Sequence, residues 1–453
     1  MINRRDLIEK DKQFVWHPDT QMKEFEKEDP IIIERGEGIY VYDIDGNKYI
    51  DAIASWWVNT LGHSNSRLNK ALCDQVQKIE HVLLAGFSHV PAIELAEELV
   101  NISAPAITKV FYSDNGSTAT EVALKMAFQY WYQVGRPNKK KFVALEHSYH
   151  GDTLGAVSVG GVDIFYKVFK PLLFEIFQAK SPYCYRCPEG LCNEICNIDC
   201  INSVEEIFKE HCEEIAAIII EPLVQGACGM RMYPPEFLVK LRYLCDKYDI
   251  LLIDDEVAMG FGRTGKMFAY QHANITPDLV CLAKGITAGY LPLAATLTTD
   301  KIFNAFYDDY DTYKTFYHGH SFTGNPLAAS IAVENLKIFR EEKIIENLQP
   351  KIEFFHRELN KLKDLKFVGD VRYTGMVAAI ELVKDKKTKE KFDPKFRIGK
   401  KVYNEALKLG AILRPLDHVI YFIPPYVITN DEIVLMLQIA KQSIQKATAD
   451  IMD

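Results

Sequence analysis

The run Leu251-Leu252-Ile253-Asp254-Asp255-Glu256, read with Leu279-Val280-Cys281-Leu282-Ala283-Lys284-Gly285 downstream, decides how this chain folds. Each segment is short and almost continuously apolar until it meets charged residues, the pattern of a strand covered by helices on both faces. Ligands of such sheets gather where strands end, because loops and helix N-termini converge there. Asp255 and Lys284 stand at two such ends and share a pocket if their strands are neighbours. An acid and a lysine so placed are what pyridoxal 5'-phosphate (PLP) chemistry requires. The lysine bonds the cofactor aldehyde, and the carboxylate keeps the pyridine nitrogen protonated so that the ring withdraws electrons.

Outward from this pair, apolar runs at Val110-Phe111-Tyr112, Phe142 to Leu145 and Ala217 to Ile220 alternate with amphipathic stretches such as Phe237, Leu238, Leu241, Leu244, Cys245 and Tyr248. That alternation predicts an α/β fold with a mainly parallel sheet. Residues 30–53 instead read as a β-meander, with a Gly36-Glu37-Gly38 turn and Asp45-Gly46. Beyond about residue 330 a helical period dominates until a strand from Ile412 to Tyr421. A chain of 453 residues exceeds one compact unit. The expectation is a large domain over 63–329 and a smaller α+β domain built from 1–62 and 330–453.

Composition narrows the class. A net charge of −9, with both signs interleaved, offers no basic face for nucleic acid. Lys139-Lys140-Lys141 is a short run, read as a solvated loop. No apolar stretch approaches a membrane span, and Met1-Ile2-Asn3-Arg4-Arg5-Asp6 leads into charge, so a cytoplasmic protein with reduced thiols is expected. Cys184, Cys187, Cys192, Cys196 and Cys200 crowd together. Four thiolates are a tetrahedral zinc set, while a reduced thiol-rich loop is the alternative and the favoured reading, with no metal assigned.

Asn115-Gly116-Ser117-Thr118 lies between a strand and a helix bearing Ala119, Val122, Ala123, Met126, Ala127 and Tyr130 on one face. A small-residue turn there makes an anion site, since free N–H groups and the helix dipole point at the ligand. An ordinary N-cap by Ser117 or Thr118 is the plainer reading. Ser148-Tyr149-His150-Gly151-Asp152 follows another strand and offers an aromatic ring to stack on a planar ligand. Gly260-Phe261-Gly262-Arg263-Thr264-Gly265 imitates a nucleotide loop but follows acids that repel phosphate, so the dinucleotide reading is rejected. His318 and His320 lack partners at metal-ligand spacing.

In order and spacing, Asp255-Glu256-Val257, the glycine-rich segment to Gly265 and Lys284 resemble the class III (subgroup II) aminotransferases of the fold type I PLP enzymes. The likeness runs from about Trp16 to Tyr426. It is narrower toward the branch that aminates 8-amino-7-oxononanoate in biotin biosynthesis, through Trp16-His17-Pro18, Ser55-Trp56-Trp57, His89-Val90-Pro91-Ala92, Gln225-Gly226-Ala227, Gly229-Met230 and Arg414-Pro415.

The resemblance implies a seven-stranded-type sheet and PLP as cofactor. By position, Lys284 bonds the cofactor, Asp255 pairs with its ring nitrogen, and Tyr149 stacks on the ring. Gly116 and Ser117 hold the phosphate, with His320 and Ser321 reaching in from the other subunit of a homodimer. Asp19, Trp56, Trp57, Tyr149, Gly319 and Arg414 meet the substrate. The donor implied is S-adenosylmethionine, with lysine as the alternative. Three positions depart from the family pattern: Asp19 where an aromatic is usual, Met259 for threonine, and Leu416 for phenylalanine. Asp19 in particular keeps open a different class III activity, on an ω-amino acid or a diamine.

Overall fold

The computed structural model describes residues 4–190 and 196–449. Its central sheet has seven strands: β1 (Ile107–Ser113), β2 (Lys141–Leu145), β3 (Phe177–Ala179), β4 (Ile215–Ile220), β5 (Leu251–Asp255), β6 (Leu279–Leu282) and β7 (Ala294–Thr299). They lie in the order β1-β7-β6-β5-β4-β2-β3. Only β7 runs antiparallel to its neighbours.

Alternation across the strands explains why their sequences are apolar throughout. Ala217, Ile219, Leu251 and Ile253 pack on one face with Ala119, Val122, Ala123 and Met126 of helix α1 (Gly116–Gln133). Ile218, Ile220 and Leu252 pack on the other with Phe237, Leu238, Leu241 and Leu244 of helix α2 (Pro235–Lys247). Each of the Ile, Leu, Val, Met and Phe side chains among them contributes about 1.5–3 kcal/mol by leaving water, the alanines less.

The two ends of the chain meet in a second sheet. Strands Ile33–Glu37, Tyr40–Asp43 and Lys48–Asp51 form the meander, and Ala411–Ile412 adds in parallel beside Lys48–Asp51. We propose the division 1–62, 63–329 and 330–453 on this pairing. Its second boundary falls inside helix α3 (Pro326–Glu341), which Asn325 caps and which packs on the large-domain helices Ser66–Val76 and Val90–Asn101.

Three expectations need correcting. The stretch after residue 330 is not helical up to 412, since Val368–Thr374 and Val377–Leu382 form a hairpin that pairs with Val419–Phe422. The strand expected over 412–421 is two separate strands. Lys139 is not solvated: it is 1% exposed, and Nζ donates to the carbonyls of Cys212, Ile215 and Asp249 at 2.7, 3.3 and 2.6 Å. Burial lowers its pKa to about 8. A terminal amine ringed by carbonyls satisfies loop ends that cannot bond one another.

No helix among the described residues is long and apolar enough to cross a membrane. Of the cysteine cluster, Cys192 lies outside the described residues. Among the described residues no group of three potential ligands is assembled for a metal. Burial, reinforced by neighbouring thiols, raises the pKa values of Cys184 and Cys200 to about 11 and about 12.

Candidate active site

Strands β5 and β6 are neighbours, with Asp255 opposite Cys281, so Asp255 and Lys284 do open onto one cavity at the carboxyl edge of the sheet. Its volume is about 1020 Å³. Asp255 is buried and held twice: Oδ2 lies 2.7 Å from His150 Nδ1, and the Val257 N–H donates to Oδ1 at 3.1 Å. A carboxylate is an acceptor only, so Nδ1 of His150 is the donor. This fixes the tautomer and leaves the buried Nε2 without a partner among the described residues.

Lys284 follows the end of β6 in a left-handed conformation, φ 46°. Its Nζ lies 4.4 Å from the centre of the Trp57 ring. Burial lowers its pKa to about 8, against the opposing pull of Asp255 and Glu221. Glu221, just past β4, is also buried and accepts from the N–H groups of Tyr149 and Gly226 at 3.0 and 2.9 Å. Burial raises its carboxyl to about 7. Its two hydrogen bonds tie the Tyr149 loop to the loop beneath Trp57.

Helix α1 begins on the same cavity. Its cap is Asn115, not Ser117 or Thr118: Asn115 accepts from the Thr118 N–H at 3.1 Å, and Thr118 Oγ1 accepts from the Asn115 N–H at 3.0 Å. The N–H groups of Gly116 and Ser117 therefore stand outside the helix ladder and open on the cavity. A Cβ on Gly116 would drive into Val257, and one on Gly151, at φ +124°, would strike the Ser117 hydroxyl. That hydroxyl accepts from the Asp152 N–H at 3.0 Å.

The outer wall is strained. Ala54, Ser55, Trp56 and Trp57 all have φ between 47° and 73°, a left-handed turn made without glycine. Each such residue costs roughly 1–2 kcal/mol, so the turn persists only under restraint. Asp51 supplies part of it, accepting from the Ser55 N–H and hydroxyl at 2.9 and 2.7 Å with His63 at 3.0 Å. Arg263 supplies the rest: it is 1% exposed and donates to the carbonyls of Trp57, Asn59 and Pro424. The glycine-rich segment thus delivers a structural arginine. The turn buries Trp57 edge-on against Tyr421 and leaves Trp56 41% exposed, with the Arg414 guanidinium 3.9 Å above its ring.

Lys284, Asp255, Tyr149, Gly116, Ser117, Asp19, Trp56, Trp57 and Arg414 all line this cavity, as do Met259 and Leu416. Gly319, His320 and Ser321 do not. They lie on the stretch before α3, with His320 Nδ1 2.8 Å from Asp114 Oδ2.

Residues 22–444 match the family Aminotransferase class-III. The chain belongs to the class III aminotransferases. It is 49% identical to the adenosylmethionine-8-amino-7-oxononanoate aminotransferase of Geobacter sulfurreducens, over 97% of both chains. It is 46% identical to that of Methanocaldococcus jannaschii, over 98% of this chain and 99% of the relative. The crystal structure of the Methanocaldococcus jannaschii enzyme superposes with a TM-score of 0.93, covering 98% of this chain and 99% of that one at 45% identity. The omega transaminase of Pseudomonas jessenii, solved in complex with PMP, superposes with a TM-score of 0.93 at 35% identity, covering 98% and 99%.

Within this class III aminotransferase, sequence reasoning passed over His150 and Glu221. Glu221 carries the signal that found Asp255, an acid just after a buried apolar strand. His150 lies in a quoted motif, but nothing local announces its contact with Asp255.

Proposed function

We propose that this chain transfers an amino group from S-adenosylmethionine to 8-amino-7-oxononanoate, giving 7,8-diaminononanoate, with PLP as cofactor. One observation carries the reading: a buried lysine and a doubly held carboxylate face a cavity whose far wall is an aromatic ring topped by an arginine. Arg414 has no acidic partner among the described residues. It is free to meet a carboxylate with paired, charge-assisted hydrogen bonds. The face of Trp56 covers the methylene chain between that carboxylate and the ketone, at about 0.8 kcal/mol per buried CH₂. The names of the relatives point to the same substrate.

The cavity fits PLP: a glycine-lined helix start for its phosphate, a buried carboxylate for its ring nitrogen, a buried amine for its aldehyde. When bound, PLP supplies an electrophilic carbon and an electron-withdrawing ring. Gly116 and Ser117 would bind the phosphate through free N–H groups and the helix dipole. Tyr149, its loop pinned by Glu221, would pack over the ring. Asp255, oriented by His150 and Val257, would hold the proton on the ring nitrogen. Lys284 Nζ would hold the aldehyde carbon, and as a buried amine of lowered pKa it would move the proton at the substrate carbon. Gly319, His320 and Ser321 lie outside their own cavity, and in this reading they complete the site of a partner subunit in a homodimer.

The test is a half-reaction. Protein-bound cofactor absorbance is followed while 7,8-diaminononanoate, S-adenosylmethionine, lysine, ornithine and 4-aminobutyrate are offered singly. Diaminononanoate and S-adenosylmethionine should each convert the spectrum. Conversion by ornithine or 4-aminobutyrate with none by diaminononanoate overturns the biotin reading, and conversion by lysine in place of S-adenosylmethionine reassigns the donor.

A further inference from the structure

Four carboxylates, a lysine and an arginine line the cavity beside His150: Asp19, Asp152, Glu221, Asp255, Lys284 and Arg414. Most are engaged. Asp255 is held by His150 and Val257, Glu221 by two backbone N–H groups, and Asp152 accepts from the Tyr149 hydroxyl at 2.9 Å. Lys284 serves the cofactor. Two groups of opposite sign remain, Asp19 and Arg414, and neither has an ion-pair partner among the described residues.

The position of Asp19 is fixed by its backbone. It sits at φ 48°, a left-handed conformation that aspartate tolerates better than most residues, in a turn where the Thr20 hydroxyl donates to the Pro18 carbonyl at 2.8 Å. Its carboxylate lines the same cavity as Tyr149, at whose hydroxyl its charge is felt. Arg414 rides on Trp56. The cavity therefore carries one unpaired anion, Asp19, and one unpaired cation, Arg414 on the Trp56 ring, among the described residues.

We propose that Asp19 is a specificity-determining residue that reads an ammonium on the substrate. Its carboxylate accepts from the 8-amino group adjacent to the reacting 7-ketone, while Arg414 holds the carboxylate at the far end of the chain. The inference rests on the proposed function and deepens it. A substrate with a cation next to its carbonyl and an anion at its other end satisfies both groups at once. The reversed pose sets carboxylate against Asp19 and ammonium against Arg414, and like charges reject it. An acid in place of an aromatic at this position thus exchanges a packing contact for a charge contact that fixes the direction of binding.

The experiment compares two ketones on the aminated holoenzyme, 8-amino-7-oxononanoate and 7-oxononanoate, which lacks only the amine. Native protein, Asp19→Asn and Arg414→Gln are titrated and the half-saturating concentrations read from cofactor absorbance. A hydrogen bond to a charged group contributes about 1.5–3 kcal/mol, which is roughly 10- to 100-fold in affinity. Native protein should prefer the amino ketone, and Asp19→Asn should shift the ratio of the two constants by that factor toward 7-oxononanoate. Arg414→Gln should weaken both ketones alike. If Asp19→Asn leaves the ratio unchanged while native protein converts the amino ketone, the assignment of Asp19 fails alone. Conversion of neither ketone by native protein overturns the proposed function and this assignment with it.

Discussion

Lys284→Ala should reduce amino transfer to background and should also abolish covalent retention of the cofactor. Borohydride treatment of native holoenzyme should fix the cofactor to the peptide bearing Lys284, and the same treatment of the variant should fix none. Two roles are removed together, anchor and proton carrier. Proton transfer alone is worth about 10²- to 10⁴-fold in rate, so the combined loss exceeds that range. The variant should fold, because the side chain removed lines the cavity just beyond the end of β6 and the packing of Val280, Leu282 and Ile286 is untouched. Retention of more than about one per cent of native turnover would overturn the role of Lys284.

The same lysine predicts a pH dependence whose sign follows from its environment. Burial lowers the Lys284 pKa to about 8, so the neutral amine predominates above that pH and not only above the ordinary lysine value. Aldehyde capture requires the neutral amine. Apoenzyme should therefore take up PLP at a rate that rises through about pH 8 and then levels, measured by stopped-flow absorbance. A rate still climbing near pH 10 would mean that Lys284 is not desolvated.

Strands β4, β5 and β6 were legible because strands buried on both faces carry apolar residues at nearly every position. The hairpin at Val368–Thr374 and Val377–Leu382 was not. In its first strand only Val368 and Val371 are buried, and the second, Val-Ala-Ala-Ile-Glu-Leu, mixes alanine and glutamate in a way that suits a helix equally well. Pairing with Val419–Phe422 decides the matter, and such pairing is invisible locally. Lys139 misled for a related reason. A lysine among lysines reads as surface, yet its amine closes three carbonyls from distant segments. In the site, Asp255 and Lys284 showed because each interrupts an apolar strand end. The left-handed turn at Ala54–Trp57 gave no sign, since it contains no glycine and one of its two restraints, Arg263, comes from a distant segment.

Asp255→Asn should cost about 10³-fold in turnover while leaving the protein folded and able to bind cofactor. The substitution is nearly isosteric, and an amide oxygen still accepts from the Val257 N–H. What it removes is the negative charge that holds a proton on the ring nitrogen. Loss of one preorganised electrostatic contact at a reacting centre costs about 10²–10³-fold, and here the contact serves both half-reactions. His150→Asn tests the support behind it. With His150 gone, Asp255 keeps its charge and the Val257 contact but loses the 2.7 Å bond that aims Oδ2. Turnover should fall by a smaller factor, about tenfold, as expected for a group that orients another rather than touching the reacting atoms. The double variant distinguishes the two roles. If His150 acts only through Asp255, Asp255→Asn with His150→Asn should be no slower than Asp255→Asn alone, because a positioning residue has nothing left to position. Multiplicative losses in the double variant would show His150 acting on the cofactor independently, through its unpartnered Nε2.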